Sequence, residues 1–294
     1  MNGMISLTCA VQCKVPYCDA TEEYTDNGVL LLPDSYSETG EPTRLVISCH
    51  GAGGTVTTDD AQVLHQTLTH YLLANGFAVM DMAGLPAAFA AKYGIDLLNN
   101  IGSPVATDAY VAGYRKCVSG FNLKKEVLVH GASMGGISSV NLVLSGRVPT
   151  LVQTGFCPVL DTYEEIFLHP WSNGAPKTAL EKFYSLDPDR YDETKIAPNN
   201  PMTNEKALRY PVPLYFWQCA DDGTVSPAVT EKFVARVNGA GGFAALTVFP
   251  SGGHEPQLYG DYLERPCGNT FFRGETLRIT AAVEGVYSVF RNYR

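Results

Sequence analysis

A serine, an aspartate and a histidine stand in this chain where an activated nucleophile could be assembled. The serine is Ser133, at the centre of Gly131-Ala132-Ser133-Met134-Gly135, a G-x-S-x-G. A serine hydroxyl is a poor nucleophile until a base can reach it, and a sharp turn between small residues lifts the oxygen clear of the backbone. The segment before it, Val127-Leu-Val-His130, is apolar and β-branched, and residues 135–144 continue in a helical pattern. The new helix would offer its free N–H groups and positive dipole end to a developing oxyanion.

The partners must come from elsewhere. Asp221 and Asp222 follow the apolar run Leu214-Tyr-Phe-Trp-Gln-Cys219, and His254 follows Ala244-Ala-Leu-Thr-Val-Phe249. Ser133, the aspartate pair and His254 thus all fall just after predicted strands, in the chain order Ser, Asp, His that accompanies this turn. His130 is a rival base by nearness in sequence, but it lies within the strand and is expected to be packed there. His65 and His70 read as surface or packing residues of a helix over residues 60–75.

A second glycine-rich turn, His50-Gly-Ala-Gly-Gly54, comes directly after the continuous apolar run Arg44-Leu-Val-Ile-Ser-Cys49. Its position, after a strand and before a helix, suits the second half of an oxyanion hole. Ala52 and Gly53 are the expected loop donors beside the Met134 amide, and His50 is expected to brace the loop.

The elements that must position these residues alternate. Strands are read at residues 28–32, 44–49, 77–80, 127–130, 151–157, 214–219 and 244–249. Helices are read at 60–75, 107–119, 135–144, 228–238 and 276–292, with Ser226 and Pro227 as N-cap and first residue of the fourth. Residues 1–27 read as one or two short strands ending in a polar, acidic stretch, and 83–104 as an irregular connection. This alternation predicts an α/β chain with a mostly parallel sheet and helices on both faces, where sites gather at the carboxyl ends of the strands. Residues 158–210 lack clear periodicity apart from a helix near 178–184. An insertion of that length inside one domain is usually functional, and it is expected to form a cap. Tyr163, Phe167 and Trp171, with Phe183 and Tyr184, are its candidate substrate-binding residues; as aromatics they equally could hold the cap together.

Bulk properties narrow the partners. The chain has 294 residues, 45% hydrophobic and 17% charged, enough for one sizeable globular domain. A net charge of −9 argues against nucleic acid or an anionic membrane, since no cationic surplus is there to release counterions. No window reaches the ~20 apolar residues of a membrane span. The first residues lack a basic n-region, so a cytoplasmic location is expected. Of eight cysteines, Cys49, Cys157 and Cys219 read as buried strand residues and Cys117 as a helix residue. Cys9, Cys13 and Cys18 have no zinc spacing, and no metal or organic cofactor is expected.

Taken together, Leu32-Pro-Asp-Ser-Tyr36, His50-Gly-Ala-Gly-Gly54, Gly131-Ala-Ser-Met-Gly-Gly136, Asp222-x-x-Val225 and Gly252-Gly-His254 resemble the α/β-hydrolase superfamily. The resemblance is to its esterase, dienelactone-hydrolase and prolyl-oligopeptidase-like branch, and it spans residues 28–292; the first 27 residues and the cap have no clear counterpart. It implies an α/β-hydrolase fold and selects Asp222 as the acid, by the family spacing of acid, two residues and Val. It implies that Ser133 attacks an acyl carbon, that His254 is the base, and that Asp222 holds the imidazole tautomer. Each oxyanion donor would be worth about 3–4 kcal/mol. The leading expectation is a serine esterase acting on a small-molecule ester, neutral or aromatic in its acyl part. The alternatives are a peptidase or amidase with the same triad, and a non-catalytic ligand-binding member of the fold.

Overall fold

Every residue of the segment Val127–Ala132 is buried, as its unbroken apolar character requires of a strand covered on both faces. It is the fifth strand of an α/β sheet in the computed structural model, which describes residues 4–57, 59–169 and 171–254. In chain order the main elements are β1 (Met4–Lys14), β2 (Thr21–Leu31), β3 (Arg44–Cys49), α1 (Thr67–Ala74), β4 (Phe77–Met82), α2 (Ala87–Tyr93) and α3 (Pro104–Gly120). There follow β5 (Val127–Ala132), α4 (Gly135–Leu144), β6 (Thr150–Phe156), α5 (Ala175–Phe183), α6 (Glu193–Ile196), β7 (Leu214–Cys219), α7 (Pro227–Gly239) and β8 (Ala244–Phe249).

The described strands form one sheet in the order β1-β2-β4-β3-β5-β6-β7-β8. From β4 to β8 all neighbours are parallel, while β2 pairs antiparallel with both β1 and β4. Alternate residues of the strands enter different cores. Leu45, Ile47, Val127, Val129 and Phe216 face Tyr110, Tyr114 and Cys117 of α3 and Val229 and Phe233 of α7. Val46, Val79, Leu128 and Trp217 face Leu68 and Leu72 of α1. Helices thus cover both faces of a mostly parallel sheet, as the alternation of elements predicts. All ten residues of α4 are buried, so the helix that follows Ser133 lies in the interior.

Several boundaries differ from the sequence expectation. The expected short strands of residues 1–27 are instead two eleven-residue strands in full antiparallel register from Met4↔Leu31 to Lys14↔Thr21. In β1 the alternation is regular, with Leu7, Cys9, Val11 and Cys13 inward and Ser6, Thr8, Ala10, Gln12 and Lys14 outward, the period of a half-buried edge. Cys18 lies exposed in the connecting turn, away from the inward face that holds Cys9 and Cys13, and burial pushes the Cys13 thiol up to about 12. The helix expected over 60–75 is broken at Gln66, an extended residue (φ −84°, ψ 128°) between a 3-10 turn, Gln62–His65, and α1. The irregular connection 83–104 contains α2, whose Pro86 start and left-handed Gly94 stop are both readable punctuation. The α3 helix begins three residues earlier than expected, at Pro104, because Ser103 caps it by accepting the Ala106 amide. The helix expected over 276–292 lies outside the described residues.

Residues 158–210 carry a short π-helical turn (Tyr163–Leu168), α5, α6 and several 3-10 turns. Ile166, Ala179, Leu180 and Ile196 from this segment share a core cluster with Met134, Ile137, Val159 and Val225. Side chains of this segment therefore share a core with Met134, the residue after Ser133.

Candidate active site

The strand β5 ends at Ala132, and the backbone turns at Ser133 with φ of +53°. A non-glycine residue with positive φ is strained by about 1 kcal/mol or more and persists only where its surroundings fix it. Here the Ser133 amide donates to the Phe156 carbonyl at 2.9 Å, while its carbonyl accepts from Gly136 at 2.8 Å and Val159 at 2.9 Å. The flanking glycines are required by proximity. A Cβ on Gly131 would lie 2.2 Å from the Gly135 carbonyl oxygen, and one on Gly135 would lie 2.0 Å from that of Cys49.

Ser133 Oγ lies 2.9 Å from His254 Nε2. His254 Nδ1 lies 2.9 and 3.1 Å from the two carboxylate oxygens of Asp222. Asp222 Oδ1 in turn accepts from the amides of Thr224 and Val225, both at 2.9 Å. Burial pushes the Asp222 carboxyl up, but the hydrogen bonds from His254 and these amides outweigh it and hold it below its ordinary value. Asp221 faces elsewhere and accepts the Gly253 amide at 2.8 Å. The structure thus brings Ser133, Asp222 and His254 together, and gives Asp221 a separate place on the loop that carries the histidine.

The other histidines sit as the sequence suggests. His130 is buried, its Nδ1 2.9 Å from Thr154 Oγ1, and burial pushes its pKa down to about 3. His50 lies behind the glycine turn, its Nδ1 3.2 Å from both oxygens of Asp81. Burial lowers the His50 pKa, and the Asp81 carboxylate more than reverses this and holds it above the ordinary value. Asp81 also accepts from Tyr110 and from the Met82 amide, each at 2.8 Å. His50, Asp81 and Tyr110 are all buried. None of this network was foreseen beyond the bracing role of His50.

Among the oxyanion candidates, Met134 stands at the N-terminus of α4. A Cβ on Gly51 would lie 3.3 Å from Ser133 Cβ, so the glycine turn runs directly beside Ser133. The Gly53 amide donates to the Leu98 carbonyl at 3.2 Å. In residues 158–210, Phe167 and Trp171 pack on the cluster that contains Met134 and Val225. Tyr163 stacks on Phe167 with centroids 6.2 Å apart and is 41% exposed. The Trp171 indole donates to the Glu165 carbonyl at 2.9 Å.

Two residues beside the triad were missed. Cys157, read as a strand residue, lies one position beyond β6 with φ of +42°, buried, its sulfur within 4.8 Å of an Asp222 carboxylate oxygen. Its signal was present in the register: β5 and β6 end side by side, with Ala132 opposite Phe156. Glu165 is 4% exposed, one carboxylate oxygen accepting the amides of Leu160 and Asp161 and the other without a hydrogen-bond partner among the described residues. Burial raises its pKa to about 8.

No family model matches the chain, and no curated protein matches it. Solved structures do. Acylaminoacyl peptidase from Pyrococcus horikoshii superposes with a TM-score of 0.66 at 12% identity, over 93% of this chain and 40% of that one. A puromycin-hydrolyzing peptidase from Mycobacterium tuberculosis gives 0.63 at 16%, over 85% and 36%. Oligopeptidase B from Leishmania major gives 0.60 at 14%, over 85% and 33%. The chain has the α/β-hydrolase fold. It spans two-fifths or less of the length of these α/β-hydrolase neighbours. Among the described residues no helix is long and apolar enough to cross a membrane.

Proposed function

We propose that the chain is a serine hydrolase that cleaves acyl bonds through an acyl-enzyme, with peptides or aminoacyl amides as the substrate class. The observation that carries the reading is the unbroken relay from Ser133 Oγ through His254 to Asp222, with both links at 2.9 Å. In it Ser133 attacks the acyl carbon and its proton passes to His254 Nε2, leaving an imidazolium beside the Asp222 carboxylate. The amides of Met134 and Ala52 receive the oxyanion. His254 then protonates the leaving amine, and water enters by the same route to release the acid.

The choice of amide over ester departs from the leading expectation drawn from the sequence. It is supported by the solved structures that share the fold, which are described as peptidases or as hydrolases of puromycin. The apolar and aromatic cap residues Phe167, Trp171 and Tyr191, packed beside the cluster that contains Met134, favour substrates with a hydrophobic side chain. Among the described residues seven cysteines are free and six of these are buried, which supports a reducing compartment such as the cytoplasm.

The test compares wild type with Ser133→Ala on aminoacyl p-nitroanilides and on p-nitrophenyl esters of matched acyl groups. The reading requires anilide hydrolysis that falls on the order of 10³–10⁶-fold in the variant. Ester hydrolysis alone, lost in the variant, would return the assignment to an esterase. Equal rates in both proteins on both substrates would overturn the catalytic role.

A further inference from the structure

Cys157 lies where the sheet ends. Its amide donates to the Trp217 carbonyl at 2.8 Å, which ties it to β7, and its positive φ turns it off the line of β6. The result is a buried thiol against the acid of the triad. Cys157 Sγ, a carboxylate oxygen of Asp222 and a ring nitrogen of His254 all lie within 4.8 Å of one another. The histidine nitrogen on that side is Nδ1, since Nε2 is turned to Ser133.

We propose that Cys157, Asp222 and His254 form an inhibitory site for a thiophilic divalent cation of the Zn²⁺ class. The proposal rests on the assignment of these residues to the catalytic relay. One sulfur, one imidazole nitrogen and one carboxylate oxygen is a donor set that suits zinc, whereas magnesium and calcium prefer oxygen alone. Around a tetrahedral zinc such donors lie roughly 3.2–3.7 Å apart, given bonds of about 2.0–2.3 Å. The His254 Nδ1 and Asp222 oxygens, 2.9–3.1 Å apart, would open slightly, and the sulfur, within 4.8 Å of both, would close by at most about 1.6 Å to reach such a shell. Three protein ligands leave a fourth position for water.

The proton balance explains the inhibition. The cation binds the Cys157 thiolate, the Asp222 carboxylate and the Nδ1 lone pair of a neutral His254. The thiol proton is released to solvent, and the Nδ1 proton is replaced by one on Nε2. With Nε2 protonated, the imidazole has no lone pair left to accept the Ser133 proton, and the nucleophile stays an alcohol. One proton leaves per cation bound, so affinity rises up to tenfold per pH unit while the free thiol is protonated. Burial holds the Cys157 thiol well above its ordinary pKa in the absence of a cation, which also keeps it from competing as a nucleophile.

The test begins with Ser133→Ala protein freed of metal by EDTA and titrated with Co²⁺ alone, so that no hydrolysis is involved. A thiolate-to-cobalt charge-transfer band should grow to one equivalent and disappear on addition of Zn²⁺. It should vanish with Cys157→Ser and persist with Cys18→Ser, which removes the exposed thiol. If Cys157→Ser does not fold, Asp222→Asn in the same background should weaken binding at least tenfold. No band, a band that survives Cys157→Ser, or binding unchanged by Asp222→Asn would overturn the site. Because this arm needs no turnover, it stands even if the proposed hydrolysis fails. In active wild type, micromolar Zn²⁺ should abolish hydrolysis reversibly with EDTA, and Cys157→Ser should be at least tenfold less sensitive relative to its own rate.

Discussion

Asp221 Oδ1 accepts the amide of Gly253 at 2.8 Å, so the residue before the triad acid holds the residue before the triad histidine. Two neighbouring carboxylates thus act on one loop, Asp221 on its backbone and Asp222 on its imidazole. They should separate by mutation. Asp222→Asn removes the charge that orients and stabilises His254, and kcat should fall about 10³–10⁴-fold with the fold intact. Asp221→Ala removes one exposed hydrogen bond worth about 1 kcal/mol, and kcat should fall about fivefold. Steady-state kinetics of the two variants distinguishes them; equal losses would mean that Asp221 is itself part of the relay.

The two glycine turns beside Ser133 differ in what limits them. A Cβ on Gly135 would lie 2.0 Å from the Cys49 carbonyl oxygen and 2.7 Å from that of His50, both backbone atoms with little room to give. Gly135→Ala should therefore cost more than about 3 kcal/mol and lower Tm by roughly 10 °C. A Cβ on Gly53 meets nothing within 4 Å, and only its φ of +77° resists a side chain. Gly53→Ala should cost only about 1 kcal/mol. Thermal unfolding of the pair tests both.

The buried pair His50–Asp81 lies directly behind the oxyanion turn. His50→Ala leaves the Asp81 carboxylate buried with Tyr110 and the Met82 amide still donating to it. Breaking a buried pair from one side costs about 3–5 kcal/mol. We expect a loss of that size in urea denaturation and a fall in kcat/KM as the turn loosens. The His50→Ala,Asp81→Leu double variant should recover part of the stability but not the activity.

Glu165 makes stability depend on pH. In the fold its pKa is about 8 against 4.5 ordinarily, so between those values the folded chain holds a proton that the unfolded chain has released. Stability must then fall as pH rises through that window, by up to ~1.4 kcal/mol per unit for this one group. Asp161 and Asp222 both push the same way. Glu165→Gln keeps an acceptor for the Leu160 and Asp161 amides and abolishes the titration. Urea denaturation at pH 5, 6.5 and 8 should show the variant gaining on wild type at each step; parallel curves would refute the assignment.

The constellation of Ser133, Asp222 and His254 was legible because each member follows an apolar run, and apolar runs are the most readable feature of a parallel sheet. Ser133 and His254 need no more than that, while the choice of Asp222 over Asp221 needed the spacing to Val225. What escaped notice depends on contacts between distant segments. Nothing local marks Cys157 as a neighbour of Asp222, since that contact exists only once β6 and β7 pair. The Asp81 network likewise joins β4, α3 and the turn after β3, none of which announces the others. The α2 helix was a different failure: Pro86 and Gly94 punctuate it, but Asn99, Asn100 and Gly102 nearby drew the whole stretch toward a loop. Glu165 sits in a polar, weakly periodic segment, where burial of a carboxylate has no signature in sequence.

The left-handed backbone of Ser133 also limits which side chains the position can ever carry. At φ of +53° a residue branched at Cβ collides with its own main chain, whereas a single Cβ substituent is tolerated. Threonine is thereby shut out although its hydroxyl is chemically adequate, and cysteine fits as well as serine does. A torsion angle, more than the reactivity of the oxygen, thus favours a primary alcohol or a thiol over threonine among the nucleophiles this position could carry.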